Sequence, residues 1–106
     1  MMTIRIEELK KFLSEDPSDC FSAYALALEF MKINKTDDAI SLLQQVLLID
    51  KNYLAAYYQI GKLYEFKKDY AAASSAYKNG MEIAEKKNDR KTFNELQSAF
   101  ESIDDN

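Results

Sequence analysis

Apolar positions recur at helical spacing along almost the whole chain, and short polar breaks cut that pattern into six segments. Ile6, Leu9, Phe12 and Leu13 share one face of a predicted helix over 3–15, with Thr3 as its cap. That helix must stop ahead of Pro17, because proline pushes its predecessor out of helical backbone. Ser18 or Asp19 caps the next helix, which runs to about Ile33 with Ala23, Leu26, Ala27 and Phe30 on one stripe. Asn34-Lys35-Thr36 forms a turn, and Asp37 and Asp38 supply acids for a third helix that ends near Ile49. Its inward residues are Ala39, Leu42, Leu43 and Val46, and Asn52 is the expected cap of the fourth helix.

The stretch 54–84 reads as two helices folded back on each other. Tyr57, Ile60, Gly61 and Tyr64 line the first. After the break Lys67-Lys68-Asp69, a second stripe holds Ala73, Ala76, Tyr77, Gly80 and Met81. Gly61 and Ala73 are small where the pair would face, so the two backbones can approach closely. Asn88 tolerates the left-handed conformation that ends a helix, and Asp89 can cap the last one. That helix carries Phe93, Leu96, Phe100 and Ile103 inward and Asn94, Glu95, Gln97 and Ser98 outward, ahead of an Asp104-Asp105-Asn106 tail expected to fray.

A shift of 34 residues superposes the two middle helix pairs: Ala39 falls on Ala73 (73 − 39 = 34), Tyr24 on Tyr58, Ala27 on Gly61, Phe30 on Tyr64 and Leu43 on Tyr77. Residue classes match more often than identities, and packing selects the class. A helix pair repeated at this interval, with small residues at Ala27/Gly61 and Ala39/Ala73, resembles the tetratricopeptide repeat. The chain departs from that pattern at Ala23, Val46 and Lys51, where a large residue, a small residue and proline are usual.

The resemblance implies an all-α fold of six antiparallel helices in helix-turn-helix units, wound as a right-handed superhelix. It implies one domain over 1–106, with full repeats at 20–53 and 54–87 and capping helices at 3–15 and 89–103. Arg5, which stands 34 before Ala39, is then free to face water.

The resemblance further implies a protein-interaction scaffold in which the first helix of each pair lines a concave groove. The residues left over there are Phe21, Tyr24, Leu28, Met31 and Lys32, then Ala55, Tyr58, Lys62, Glu65 and Phe66. Aromatic and apolar types dominate, whereas a merely solvated face would be charged. The expected partner-binding residues are therefore Phe21, Tyr24, Leu28, Met31, Tyr58, Lys62, Glu65 and Phe66, and the expected ligand is an apolar or aromatic protein segment. Relatives that hold acidic chaperone tails use a Lys and Asn clamp on the first groove helix. Here Tyr24 and Leu28 stand at those places and only Lys62 remains, so the clamp is not expected. Two alternatives stay open at this point. The patch can be covered internally, with Phe93, Phe100, Met1 or Met2 over it and Phe21 against the first helix, or two copies can bury it in a homodimer.

Composition narrows the chemistry. The 106 residues are 47% hydrophobic and 30% charged, and two glycines and one proline are too few for the turns of an all-β fold. The net charge of −4, with no basic stripe, argues against a nucleic-acid partner. Histidine is absent, which removes the commonest general base and metal ligand. Cys20 opens a helix without a histidine beside it, and reads as an incidental thiol. Asp37-Asp38 and Asp104-Asp105 lack the alternation of a calcium loop, and no Gly-rich phosphate loop is present. No enzyme, cofactor or metal is expected. With no signal peptide and no apolar run of membrane length, the expected location is the cytoplasm.

Overall fold

The computed structural model describes residues 2–104, with side chains over 5–103. The six helices are α1 (Met2–Glu15), α2 (Cys20–Lys32), α3 (Thr36–Ile49), α4 (Leu54–Phe66), α5 (Tyr70–Lys86) and α6 (Arg90–Asp104), and no strand occurs among the described residues. Thr3 lies inside α1, which already begins at Met2, and so does not cap it, and Asp104 ends α6 as a helical residue rather than starting a frayed tail. The cover by Met1 and Met2 and the fraying of Asp105 and Asn106 lie outside the residues and side chains described.

The chain divides into two compact units, Met1–Lys51 and Asn52–Asn106. In the first, α2 packs on both α1 and α3. Ile6, Leu9 and Leu26 form a buried cluster, flanked by Leu13, Phe30, Ile33 and Leu42. Ala27, Ala39, Leu43 and Val46 are fully buried. In the second unit α5 lies between α4 and α6. Its centre is Ala73, Tyr77, Leu96, Ala99 and Ile103, with Tyr57, Tyr58, Tyr64, Met81 and Phe100 packed around it. Both small pairs that the 34-residue register aligns are buried, as is the Leu43/Tyr77 pair. Gly80 admits the central helix between its neighbours. A β-carbon there would lie 2.8 Å from Tyr57 Cβ and 2.9 Å from Leu96 Cδ1.

The turns explain why helices stop where they do. Asn34, Lys68 and Asn88 all have positive φ. In each case the left-handed residue and its successor donate back to the last helical turn. Lys68 N–H reaches the Glu65 carbonyl and Asp69 N–H the Tyr64 carbonyl, both at 2.9 Å. Asn88 and Asp89 do the same to Glu85 at 3.1 Å and Ala84 at 2.9 Å. This closure satisfies carbonyls that the helix leaves open. Asparagine accepts the conformation readily because its short polar side chain can hydrogen-bond locally, whereas Lys68 adopts it without that help.

Asp19 caps α2, accepting from Ser22 N–H at 3.0 Å and from the Ser22 hydroxyl at 2.6 Å. Asp89 does the same for α6, from Thr92 N–H at 3.1 Å and the Thr92 hydroxyl at 2.7 Å. The side-chain hydroxyl first, then the backbone N–H, holds each carboxyl below the usual carboxylate range. A folded-state pKa below the unfolded one adds stability above the unfolded value, about 4, and that stability is lost as pH falls through the lower folded value. Asp19→Asn with Asp89→Asn keeps both caps but removes the titration. The double variant is expected to flatten the acid limb of the urea midpoint plotted against pH. A slope equal to wild type would contradict this account.

Two further sequence expectations need correction. Phe12 is 45% exposed rather than inward. Ile6, Leu9 and Leu13 fill the seam with α2, which leaves Phe12 on its flank. The cap of α4 is Tyr53 and not Asn52. Gly61 is buried where α4 faces α5, and the side chain opposite it is Tyr77: a β-carbon at Gly61 would fall inside the Tyr77 ring envelope. The glycine therefore makes room for an aromatic ring.

Candidate functional site

On α2 the residues Phe21, Tyr24, Leu28 and Met31 follow the offsets i, i+3, i+7 and i+10, which set them along one stripe. The seams with α1 and α3 use Ala23, Leu26 and Ala27 instead. Phe21 is 68% exposed, so α1 does not cover it, and Tyr24, Leu28 and Met31 are half-buried. Lys32 turns aside to pair with Glu29 at 2.9 Å, and Glu29 is itself buried. The outward face of α2 in this unit is thus apolar with its one cation already engaged.

On α4 the same offsets give Ala55, Tyr58, Lys62 and Glu65, with Phe66 beside them. Phe66 is 69% exposed, so neither Phe93 nor Phe100 buries it. Phe100 packs on the Tyr77 cluster under the Lys78 ammonium, 5.3 Å from its ring centre. Phe93 carries the Arg90 guanidinium at 5.7 Å.

Tyr58, Lys62 and Glu65 do come together. The Lys62 ammonium sits 5.6 Å from the centre of the Tyr58 ring and 4.0 Å from a Glu65 oxygen. The Tyr58 ring lies 6.2 Å from that of Tyr77, centre to centre. The Tyr77 hydroxyl donates to Glu65. Burial first, and the Glu65 hydrogen bond second, hold the Tyr77 hydroxyl far above its ordinary pKa. It therefore stays protonated, and a donor, at neutral pH. Tyr58 also borders a cleft shared with Glu95 and Ser98 of α6. It is both a packing residue and a surface residue, and α6 partly covers it.

The sequence does not reveal this network. A buried tyrosine must give its hydroxyl a polar neighbour, but nothing in the periodicity says which one. Glu95 and Ser98 read only as the polar back of the last helix, and their place beside Tyr58 depends on how α6 rotates onto α5. The spacing of Lys62 and Glu65, three apart on one helix, is the signal that could have found part of it.

The rest of the chemistry is sparse. The Cys20 thiol donates weakly to the Val46 carbonyl, 3.9 Å away. Burial, then Asp50 and Asp19, push its pKa up, so it stays protonated where a catalytic thiol would ionise. Among the described residues no group of three or more His, Cys, Asp or Glu could hold a metal ion, and no helix is long and apolar enough to cross a membrane.

Comparison with known proteins gives this arrangement a family. The tetratricopeptide repeat model matches residues 54–87. A tetratricopeptide repeat domain protein from Salinibacter ruber, solved by NMR, is 35% identical. The match covers 83% of this chain and 89% of that one, with a TM-score of 0.78. Two more distant structures share the fold at 16% identity. The TPR2B domain of yeast Sti1, solved in complex with pHsp70, has a TM-score of 0.87 over 94% of this chain and 80% of that one. The Yersinia enterocolitica type III secretion translocator chaperone SycD gives 0.85 over 93% and 76%. No curated protein matches. With about a third of the aligned residues identical over most of both chains, the chain belongs to the tetratricopeptide repeat family.

Proposed function

We propose that this chain is a protein-interaction scaffold, and that the outward face of α2 and that of α4 each take up an apolar or aromatic part of a partner protein. The helix pairs α2–α3 and α4–α5 act as its two full repeats, over 20–53 and 54–87, with α1 and α6 flanking them. One observation carries the reading: α2 presents an unbroken apolar stripe, headed by a phenylalanine that is 68% exposed. Exposing such a ring to water is unfavourable by roughly 25 cal/mol per Å² of its apolar surface, which a partner would recover on binding. Met, Tyr and Phe are also the residue types enriched where proteins meet. That proteins of this fold were solved in complex with pHsp70, or act as a secretion chaperone, is consistent with the same use.

Phe21 and Phe66 are the residues to substitute, because neither supports the interior. Phe21→Ser with Phe66→Ser is expected to leave the far-UV circular dichroism and the urea midpoint nearly unchanged. The same variant should lose most of the partner that wild type recovers from a lysate. Equal recovery would remove these faces as the binding surface. The competing occupant is a second copy of the chain, which sedimentation at micromolar concentration separates from the 12.2 kDa monomer.

A further inference from the structure

We infer that Asn79 is a modification site that the fold keeps closed: when α5 opens, the Asn79 amide is lost as ammonia and the main chain there is rebuilt as isoaspartate. Asn79 stands directly before Gly80, and the chain's other glycine follows Ile60, so this is its single Asn-Gly pair. Asparagine reacts through the backbone nitrogen of its successor, which must reach the side-chain carbonyl carbon. A β-carbon on the successor hinders that approach, and glycine has none. Asn34, Asn52, Asn88 and Asn94 instead precede Lys35, Tyr53, Asp89 and Glu95.

The reaction needs water and no other reactant. The Gly80 nitrogen bonds to Asn79 Cγ and gives its proton to solvent, and the side-chain nitrogen of Asn79 leaves as ammonia. Water then opens the cyclic imide. Opening at Cγ gives aspartate on an ordinary backbone. Opening at the main-chain carbonyl gives isoaspartate, in which the backbone runs through the former side chain. Nothing is oxidised or reduced.

In the folded chain both residues lie in the interior of α5. Helical geometry aims the Gly80 N–H along the axis at the carbonyl four residues back, that of Ala76, and not at the Asn79 side chain. Asn79 is exposed whereas Gly80 is buried, so the amide meets water while its attacker is held inside. The packing that blocks the reaction also rejects its product. A β-carbon on Gly80 would lie 2.8 Å from Tyr57 Cβ and 2.9 Å from Leu96 Cδ1, so α5 has no spare room between α4 and α6 at this point. Isoaspartate adds a carbon to the main chain just before this contact and breaks the hydrogen-bond ladder. A chain that has opened long enough to react cannot close its second unit again.

The test is peptide-mapping mass spectrometry of the intact chain after incubation in mildly alkaline buffer, with and without urea. In urea Asn79 is expected to convert at least about tenfold faster than Asn34, Asn52, Asn88 or Asn94. Without urea its conversion should be at least about tenfold slower than in urea, and Tyr77→Ala, which loosens the same seam, should recover most of that difference. After dilution from urea, chains with isoaspartate at this position should lack hydrogen-exchange protection in α5. Asn79→Asp carries the same charge on an ordinary backbone and should regain it. Equal conversion with and without urea, another asparagine reacting first in urea, no acceleration in Tyr77→Ala, or isoaspartate chains as protected as Asn79→Asp would each overturn the inference.

Discussion

Tyr77→Ala is expected to destabilise the chain by about 3–5 kcal/mol, the usual cost of emptying a large buried aromatic site. Tyr77 is the largest fully buried side chain, and Ala73, Leu96 and Ala99 share its cluster. Its removal opens a cavity where α4, α5 and α6 meet. A small domain has only about 5–15 kcal/mol in total, so the loss should appear as a large drop in urea midpoint, with α6 the first helix to lose protection from hydrogen exchange. Tyr77→Phe separates the ring from its hydroxyl. It keeps the ring and deletes only the bond to Glu65, and is expected to cost about 1–2 kcal/mol because the partner is charged. Near-equal losses for the two variants would mean that the hydrogen bond, and not the packing, dominates.

The second large effect is at Gly61. Alanine is the better helix former by about 1 kcal/mol, so an exposed glycine replaced in this way would stabilise. Here the added methyl collides with the Tyr77 ring. The ring cannot swing clear, since it is fully buried, bonded to Glu65 and packed beside Tyr58. Gly61→Ala should therefore destabilise by about 2 kcal/mol net, as helices α4 and α5 are forced apart. The two positions should be strongly coupled: in a Tyr77→Leu background, Gly61→Ala should cost far less. Additive effects in that double-mutant cycle, or a stabilised Gly61→Ala, would show that the close approach is not what fixes the pair.

These two residues also show how much of the fold is legible in the sequence. The 34-residue register aligns Gly61 with Ala27 and Tyr77 with Leu43, and the members of each pair are buried alike. Class periodicity carries that much because helix seams select for size. It does not show that Gly61 and Tyr77 compensate each other, since their contact depends on the distance between two helices and not on spacing along one. Caps are legible where a short acid stands at the right place, as at Asp19 and Asp89. Asn52 misleads, because the backbone puts Tyr53 in the cap position. Phe12 fits the apolar stripe of α1, yet that stripe is wider than the seam α2 offers it.

In the candidate site, the spacing on α2 leaves Phe21 outside the interior stripe, and the ring is indeed exposed. Tyr58 is harder. Its offset matches Tyr24, but α6 packs beside it and turns it into a wall of a cleft. Glu65 falls on the outward face by spacing, yet it is the acceptor for a buried hydroxyl. Such interior polar pairs arise from rotamer choice, and no sequence period records them.

The most direct test of the binding reading is to select a peptide from a displayed random library against the intact chain and map its footprint by NMR. The account predicts an apolar or aromatic peptide whose shifts fall on Phe21, Tyr24, Leu28 and Met31 of α2 or on Tyr58 and Phe66 of α4. A footprint on α1, or on the outer faces of α3 and α5, would contradict it.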